Sequence, residues 1–241
     1  RTSINADFTT LGTRLNQSYN NVIPSVNAQR KAGNSRSINL GYTQRIQRPG
    51  IAQLNPFVNQ LSPVFFTSGN PDLLPVLNHI FELSIRQFKK GSLVTSLDYS
   101  FADNAIQSVV TLGADSISRS TYENIGKADN LGLNINLSYP TTRKLNINFN
   151  ARLSHIWLIG AIKTEVYRNR GILGNMNSVL SYSLKNDLKL GTTLRANLPS
   201  ITLQGRTNAN YSFSITGNKD FFDKKVSVMV AIHNPLQKYN Y

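Results

Sequence analysis

The sequence predicts an all-β chain, part of an antiparallel up-and-down transmembrane β-barrel, and three observations carry that prediction. First, apolar residues recur at every second position: Leu131, Leu133, Ile135, Leu137 and Tyr139, then Leu145, Ile147, Phe149, Ala151 and Leu153, interleaved with Asn, Ser, Gly and Arg. Period two puts alternate side chains on opposite faces of a strand. Second, such runs reach about 9 to 11 residues, enough for a tilted strand to cross hydrocarbon, and their wet faces carry neutral amides and hydroxyls more than Lys and Glu. Third, aromatic residues stand at strand ends, with Tyr139 at the Pro140 to Arg143 turn and His155 and Trp157 at the far end, where membrane barrels place interfacial belts.

In chain order, residues 1 to 11 read as a poor strand, and Gly12 to Asn21 as a polar loop. Val22 to Arg30 is a short strand interrupted by Pro24, and Ser37 to Gln47 a clear one, with Ile38, Leu40, Tyr42 and Ile46 on one face. From Arg48 to Val76 the period disappears, and five of the nine prolines (Pro49, Pro56, Pro63, Pro71, Pro75) fall there. Proline lacks a ladder donor, so this is a long connection and not a central strand. Alternation returns at Leu77, His79, Phe81, Leu83 and Ile85 and again at Leu93 to Phe101, but Ile106, Ser108, Val110 and Leu112 occupy the other phase. That slip predicts a bulge between Ala102 and Ala105.

Gly113 to Arg119 reads as a loop, the 124–157 hairpin follows, and Leu158 to Gly171 reads as another loop. Strands then end at Leu184 and run through Leu188 to Leu198, Ala209 to Ile215 and Val226 to Ile232, separated by Lys185 to Asp187, Pro199 to Gln204 and Gly217 to Lys225. Ten well-patterned strands and one poor one result. Short turns alternate with longer connections, so every second connection shares a rim, as in barrels with short periplasmic turns and long external loops. On that arrangement Trp157 and the 48–76 connection lie outside, and Tyr139 at the periplasmic belt.

Composition agrees with one β unit of 241 residues: charged residues are 16% and no apolar run approaches a membrane helix. The net charge of +14 is scattered over turns, loops and single strand positions, unlike the concentrated basic face of a nucleic-acid binder. No nucleic acid is expected as partner, whereas an anionic membrane surface is. There is no cysteine, hence no disulfide, thiolate metal site or cysteine nucleophile. The chain opens at Arg1 in strand-like sequence, so the expected natural N-terminus lies upstream.

Four blocks carry a resemblance: YTQRIQRPGIAQLNPFVN (Tyr42 to Asn59), GNPDLLPVLNHIFELS (Gly69 to Ser84), NIGKADNLGLNINLSY (Asn124 to Tyr139) and KDFFDKKVSVMVAIHNPLQKY (Lys219 to Tyr239). They resemble, in order, the C-terminal barrel region of TonB-dependent receptor-like outer-membrane proteins of Bacteroidota. The Gly69 to Leu73 block is also similar to a segment of siderophore and cobalamin receptors, although Val76 stands where the family's usual acid follows Leu74-Pro75. The resemblance implies a 22-stranded barrel of which this single domain, residues 1–241, covers roughly the second half, without plug or terminal strand. It implies as partners the N-terminal plug and remaining strands, TonB through that plug, the lipid bilayer and lipopolysaccharide, and a surface lipoprotein or other complex subunits.

Candidate site residues follow from face and position. Arg45, Glu82, Arg86, Asp98, Arg152 and Arg195 are expected to face the lumen; Arg48, Asn55, Phe57, Phe65, Asn70 and Asp72 belong to external loops; Tyr139, Trp157, Tyr182 and Tyr211 form the girdle. Glu82 and Asp98 on neighbouring strands have the look of a glycosidase pair, but the inward arginines favour a charge network. His79, His155 and His233 read as belt residues on the apolar face rather than ligands, and no nucleophile triad, metal site or cofactor motif is present. The expected function is an outer-membrane receptor importing a glycan, peptide or metal chelate, not an enzyme. The alternatives are a non-transporting barrel scaffold and a soluble β-rich adhesin.

Overall fold

The computed structural model describes residues 2–8, 13–223 and 225–235. In chain order the first elements are β1 (Thr2–Phe8), β2 (Thr13–Tyr19), β3 (Ser25–Lys31), β4 (Arg36–Gln47), the single helical turn α1 (Ile51–Leu54), β5 (Asn59–Ser62) and β6 (Phe65–Thr67). There follow β7 (Val76–Phe88), β8 (Ser92–Asp103), β9 (Ile106–Leu112), β10 (Ser118–Asn124), β11 (Lys127–Pro140), β12 (Leu145–Ile162) and β13 (Glu165–Ser183). The last are β14 (Leu188–Asn197), β15 (Ile201–Thr202), β16 (Gly205–Arg206), β17 (Asn210–Phe221) and β18 (Val226–His233). No helix among the described residues is long and apolar enough to cross a membrane, which says nothing about crossing by strands.

One sheet of ten strands dominates, in the order β18-β17-β14-β13-β12-β11-β8-β7-β4-β3, every neighbour antiparallel. The sheet is open: among the described residues neither β3 nor β18 has a second partner. Its register keeps like with like, because Leu133 faces Leu97 on one side and Leu153 on the other, while Asn134 faces Ser96 and Arg152. One face is therefore apolar across all ten strands, and it is exposed, with Leu40, Leu83, Leu97, Leu133, Leu194 and Val230 each at least 38% accessible. A soluble protein rarely leaves so continuous an apolar surface bare.

Aromatic rings border this apolar face. On the rim of the long connections, Tyr42 donates or accepts at His79 Nδ1 (2.9 Å), His79 stacks on Phe101 (4.7 Å between centroids) and His155 on Trp157 (4.2 Å). Tyr139 and Tyr182 stand at the rim of the short turns, with Lys90 Nζ 5.9 Å from the Tyr139 ring centre. Ile147 pairs with Tyr139 and lies ten residues before Trp157 on β12. At about 3.3 Å per residue and a tilt near 40°, the two aromatic rows are roughly 25 Å apart in height, the thickness of a barrel's apolar band.

Several expectations are corrected. Thr13 to Tyr19, read as polar loop, is β2, held by backbone pairing with β1 (Thr2 opposite Tyr19, Phe8 opposite Thr13) and not by apolar alternation. The parts of the expected first strand and loop at residues 1 and 9–12 lie outside the described residues, as do Lys224 of the last turn and residues 236–241. No bulge follows Ala102. Asp103 pairs with Lys127 and Ile106 with Asn124, so two residues separate the pairs on both strands and none is inserted. Instead Asn104 (φ 61°) and Gly126 (φ 74°) stand opposite each other in left-handed conformation, and both strands bend together. Gly126 is obligatory there, since a Cβ would sit 1.6 Å from the Ile159 carbonyl oxygen.

Leu158 to Gly171 is not a loop but the upper part of the β12–β13 hairpin, which turns only at Lys163 and Thr164. Alternation fails there because both faces are apolar. Leu158 and Ile162, on the face that carries asparagine lower down, pack with Val109 and Leu203 into a buried cluster. β17 likewise runs on to Phe221, beyond the turn expected from Gly217, because Lys219 and Phe221 pair with Val228 and Val226. His233 pairs with Ser214 and so belongs to the polar face, unlike His79 and His155.

Candidate functional site

The polar face of the sheet collects the chemistry. The register puts Arg45, Glu82, Arg86, Asp98, Arg152 and Arg195 on one and the same face: Arg45 is opposite Asn78, Glu82 opposite Asp98, Arg86 opposite Ser37, Arg152 opposite Asn134 and Asn175, and Arg195 opposite Asn177. Two of the six are bonded to one another. Asp98, 6% accessible, takes both guanidinium nitrogens of Arg152: Nη2 to Oδ2 at 2.8 Å and Nη1 to Oδ1 at 3.1 Å. Asn134 completes the set, donating to Asp98 Oδ1 at 2.7 Å and accepting from Arg152 Nη1 at 2.9 Å.

Asp98 and Arg152 belong to β8 and β12, which do not touch; β11 runs between them. Gly132 makes the bridge possible, because a Cβ there would lie 2.8 Å from Arg152 Nη2 and from both Asp98 oxygens. A bidentate arginine–carboxylate pair is geometrically exact and strong. It binds three strands across their polar face and commits Asp98 to Arg152, which removes the glycosidase reading of Glu82 with Asp98.

Beside this bridge lies a field of amides. Asn134, Asn136, Asn150, Asn175, Asn177 and Asn197 surround a concavity of about 390 Å³ into which Arg152 and Arg195 also project. Asn136, Asn150, Asn175 and Asn197 are exposed, so this face is wet and is not the interior of a sandwich. Arg195 donates to Asn177 Oδ1 (3.3 Å) and Asn197 to Asn210 Oδ1 (2.7 Å). Asn175, Asn177, Asn197 and Asn210 are missing from the sequence reading: the Gly171-Ile172-Leu173-Gly174 run hides the alternation of β13, and Asn197 and Asn210 stand at the ends of β14 and β17. The signal that recovers all four is parity: Asn175, Asn177, Asn197 and Asn210 each keep the phase of their strand's polar positions.

The connections of one rim fold over this face. The hairpin β9–β10 pairs through β10 with β6, in parallel, and through β6 with β5, forming a four-stranded sheet. The Pro-rich connection is fastened to it by Asn70 Nδ2 to the Tyr122 carbonyl (2.9 Å), and by Asn124, which accepts from Leu74 N (2.7 Å) and donates to its carbonyl (2.9 Å). Leu54 and Leu73 are buried beneath, against Ile106 and Tyr122. Gln204, in the β15–β16 connection, grips the β9 edge at Val110 N (2.7 Å) and O (3.0 Å).

The expected loop residues therefore divide. Asn55 and Phe57 line a cavity of about 510 Å³ with Asn59, Thr67, Ser120 and Tyr122. Asn70 is a fastening residue, Phe65 lies in β6, and Asp72 is exposed with its N–H bonded to Asn70 Oδ1. Arg48 follows the end of β4 at the same rim. Tyr139, Trp157, Tyr182 and Tyr211 all stand at ends of the apolar band, Tyr211 at 74% accessibility opposite Ala196. Among the described residues no group of three His, Cys, Asp or Glu side chains is placed to hold a metal.

Comparison with known proteins agrees with this geometry. The family whose sequence profile matches residues 1–241 is described as "Outer membrane protein beta-barrel family". No curated protein matches the chain. Among solved structures, the siderophore receptor PirA from Pseudomonas aeruginosa superposes with a TM-score of 0.66 at 16% identity, over 94% of this chain and 41% of that one. A mutant of the ferric enterobactin receptor PfeA from the same organism, in complex with enterobactin, superposes with a TM-score of 0.60 at 16% identity, over 90% and 35%. The siderophore receptor PirA from Acinetobacter baumannii gives 0.58 at 16% identity, over 90% and 37%. The chain thus spans less than half the length of each receptor it superposes on.

Proposed function

The chain belongs to the outer membrane protein beta-barrel family and is an outer-membrane protein, and from that premise we propose that it forms wall and mouth of a TonB-dependent receptor-like barrel that imports a ligand. The polar face is the lumenal wall, the apolar face meets lipid, the connections around β5, β6, β9 and β10 face outside, and the short turns face the periplasm. One observation carries the reading: the connections of one rim fold inward beside the amide-lined face, burying Val109 and Leu203 against Leu158 and Ile162 of β12. Such a covering suits a receptor that captures a ligand before it transports it.

The superposed proteins are receptors for siderophores by name. The concavity in this wall is mostly neutral, since beside the committed Asp98–Arg152 pair its lining adds only Arg195 as a cation. Such a wall suits a ligand rich in hydrogen-bonding groups, a glycan or peptide as readily as a metal chelate. A second reading, a scaffold in an outer-membrane assembly, draws on Phe57, Val58, Leu61 and Val64, exposed by 54 to 62% on the β5 hairpin away from the apolar band.

Electron cryomicroscopy of the full-length protein taken from outer membranes tests the reading. A closed barrel that includes these ten strands, with a plug in contact with Asn136 and Arg195, supports import. A closed barrel whose lumen is permanently empty overturns import, and a partner seated on Phe57 and Leu61 then establishes the scaffold.

A further inference from the structure

The topology gathers charge that the sequence scatters. Among the described residues, five hairpins turn at the rim below Tyr139 and Tyr182: β3–β4, β7–β8, β11–β12, β13–β14 and β17–β18. The first three are neighbours in the sheet and carry Lys31 and Arg36, Lys89 and Lys90, and Arg143 and Lys144, all exposed, with no Asp or Glu within residues 31–37, 87–92 or 140–145. The next turn adds Lys185 and Lys189 around Asp187, and only the β17–β18 turn has two acids, Asp220 and Asp223. None of the cations on the first three turns is in an ion pair among the described residues; Arg36 Nε donates to Gln87 Oε1 (3.1 Å) and Lys90 lies over the Tyr139 ring. At the opposite rim cations come with acids: Arg119 with Asp115 (2.6 Å) and Lys127 with Asp103 (3.2 Å).

A rim of one sign attracts anions, and position decides which. The cations fall on both phases: Arg36 is opposite Gln87 on the apolar face, whereas Lys31 is opposite Ser37 and Lys189 opposite Asn218 on the polar face. A lipid leaflet wets only the first. What separates the cations argues against a folded protein partner, since residues 32–35, 91 and 140–142 include no large apolar side chain, and protein interfaces are centred on buried aromatic or aliphatic anchors and depleted in Lys. What fits is an extended polyanion with acids spaced along a flexible chain. Each hairpin is two strands wide, so the cation pairs recur about every 10 Å along the sheet, and each long side chain follows its own acid. Beneath an outer membrane the polymer of that chemistry is the cell wall, a glycan with free carboxylates on its peptide stems. We infer that the rim of Lys31, Arg36, Lys89, Lys90, Arg143 and Lys144 docks on those carboxylates and holds the barrel against the wall. Docking there rests on the reading that the short turns face the periplasm, and it is independent of which ligand is imported.

The test uses the full-length protein in detergent micelles and sacculi stripped of their proteins by boiling detergent and protease, with co-sedimentation as the readout. The natural protein should sediment with the sacculi, and Lys89→Gln/Lys90→Gln/Arg143→Gln/Lys144→Gln should bind at least about tenfold more weakly, because individually weak exposed pairs act together. Lys163→Gln/Arg168→Gln/Arg170→Gln/Arg206→Gln removes as many cations from the opposite rim and should bind like the natural protein. Sacculi whose carboxylates have been amidated should retain the natural protein at least about tenfold less, a result that needs no variant to fold. Equal retention of the natural protein and the short-turn variant, or undiminished retention on amidated sacculi, overturns the docking. So does binding only to phosphatidylglycerol vesicles, which would make this a lipid surface, or only to sacculi with their proteins left on, which would make it a protein interface. Orientation is read separately: on intact cells, Lys144→Cys should not react with a maleimide too large for porins. Reaction there overturns the periplasmic placement of the turns, whereas no reaction together with no sacculus binding overturns the docking alone.

Discussion

Gly132 shows how much one missing carbon permits. Its backbone lets Arg152 reach across β11 to Asp98, and the carboxylate is nearly inaccessible while the guanidinium remains 38% exposed. Removing Arg152 leaves Asp98 with one charged partner fewer and only Asn134 to bond it. A fully buried orphaned charge costs about 3 to 5 kcal/mol; with Arg152 open to solvent, Arg152→Ala is expected to cost about 2 kcal/mol. Gly132→Ala should cost a similar amount, by pushing the pair apart, but little in an Asp98→Asn/Arg152→Ala background where no pair remains. Urea unfolding of the full-length protein in liposomes measures all three, and an undiminished Gly132→Ala cost in that background would show the glycine to serve something else. At the β9–β10 turn, the Arg119 guanidinium and the Ile117 N–H hold the Asp115 carboxyl down to about 2 from an ordinary 3.8. A depressed carboxyl stabilises the fold above its unfolded pKa and ceases to as pH falls through its folded one. The protection of the Ile117 amide, taken as its exchange rate relative to the intrinsic rate at the same pH, should therefore be full above about pH 4 and fall towards pH 2, and Asp115→Asn should leave a low protection that no longer varies over that range.

At the scale of elements, the β8–β11 ladder becomes a cover because two opposed residues, Asn104 and Gly126, take positive φ without breaking register. Asn adopts that conformation at modest cost, whereas Gly126→Ala must move the Ile159 carbonyl as well. Gly126→Ala should release β9–β10 from β12, and Leu203→Ala should loosen the β15–β16 connection by about 2 to 3 kcal/mol through a local cavity. Limited proteolysis within 198–209 should quicken in both variants while the barrel strands stay resistant; cleavage throughout would mean that the cover is not a separate unit. These elements also mark where the sequence was readable. Strands with one wet and one greasy face, such as β11 and lower β12, were legible residue by residue, and so was the alternation of short and long connections except between β12 and β13, which turn within two residues. The 158–171 stretch was not, because Leu158 and Ile162 face protein while Ile159 faces outward, and two apolar faces erase period two. The phase slip after Phe101 was visible, but a bulge and a paired bend leave the same trace in one strand, and only Lys127 to Asn124 on the other strand distinguishes them. The Asp98–Arg152 bridge was half legible: both residues had the right parity, but their meeting over Gly132 depends on which strand separates them.

For the molecule as a whole, the ten-stranded sheet has two solvent interfaces that differ in kind, and this difference can be measured as energy. Leu133 lies near the middle of the apolar band, opposite Leu97 and Leu153, and Asn136 lies three residues away on the amide face, opposite Asn150 and Val94. Both are exposed, so in water alone an arginine at either position would be about equally tolerated, within roughly 0.5 kcal/mol. In a bilayer the two must diverge. An arginine on the lipid face near the midplane costs about 2 to 4 kcal/mol, whereas a lumenal one alters selectivity with little cost in stability. Leu133→Arg in the full-length protein, folded into liposomes and titrated with urea, should lose about 2 to 4 kcal/mol and Asn136→Arg much less. The open edges at β3 and β18 sharpen the expectation, since unpaired backbone in lipid costs several kcal/mol per group and demands further strands to close the wall. If instead both variants lose stability equally, or Asn136→Arg loses more, the amide face is packed against protein across its width and the outward face does not meet lipid there. If only Leu133→Arg suffers, the period-two alternation at residues 131–139 is the record of a boundary between lipid and water.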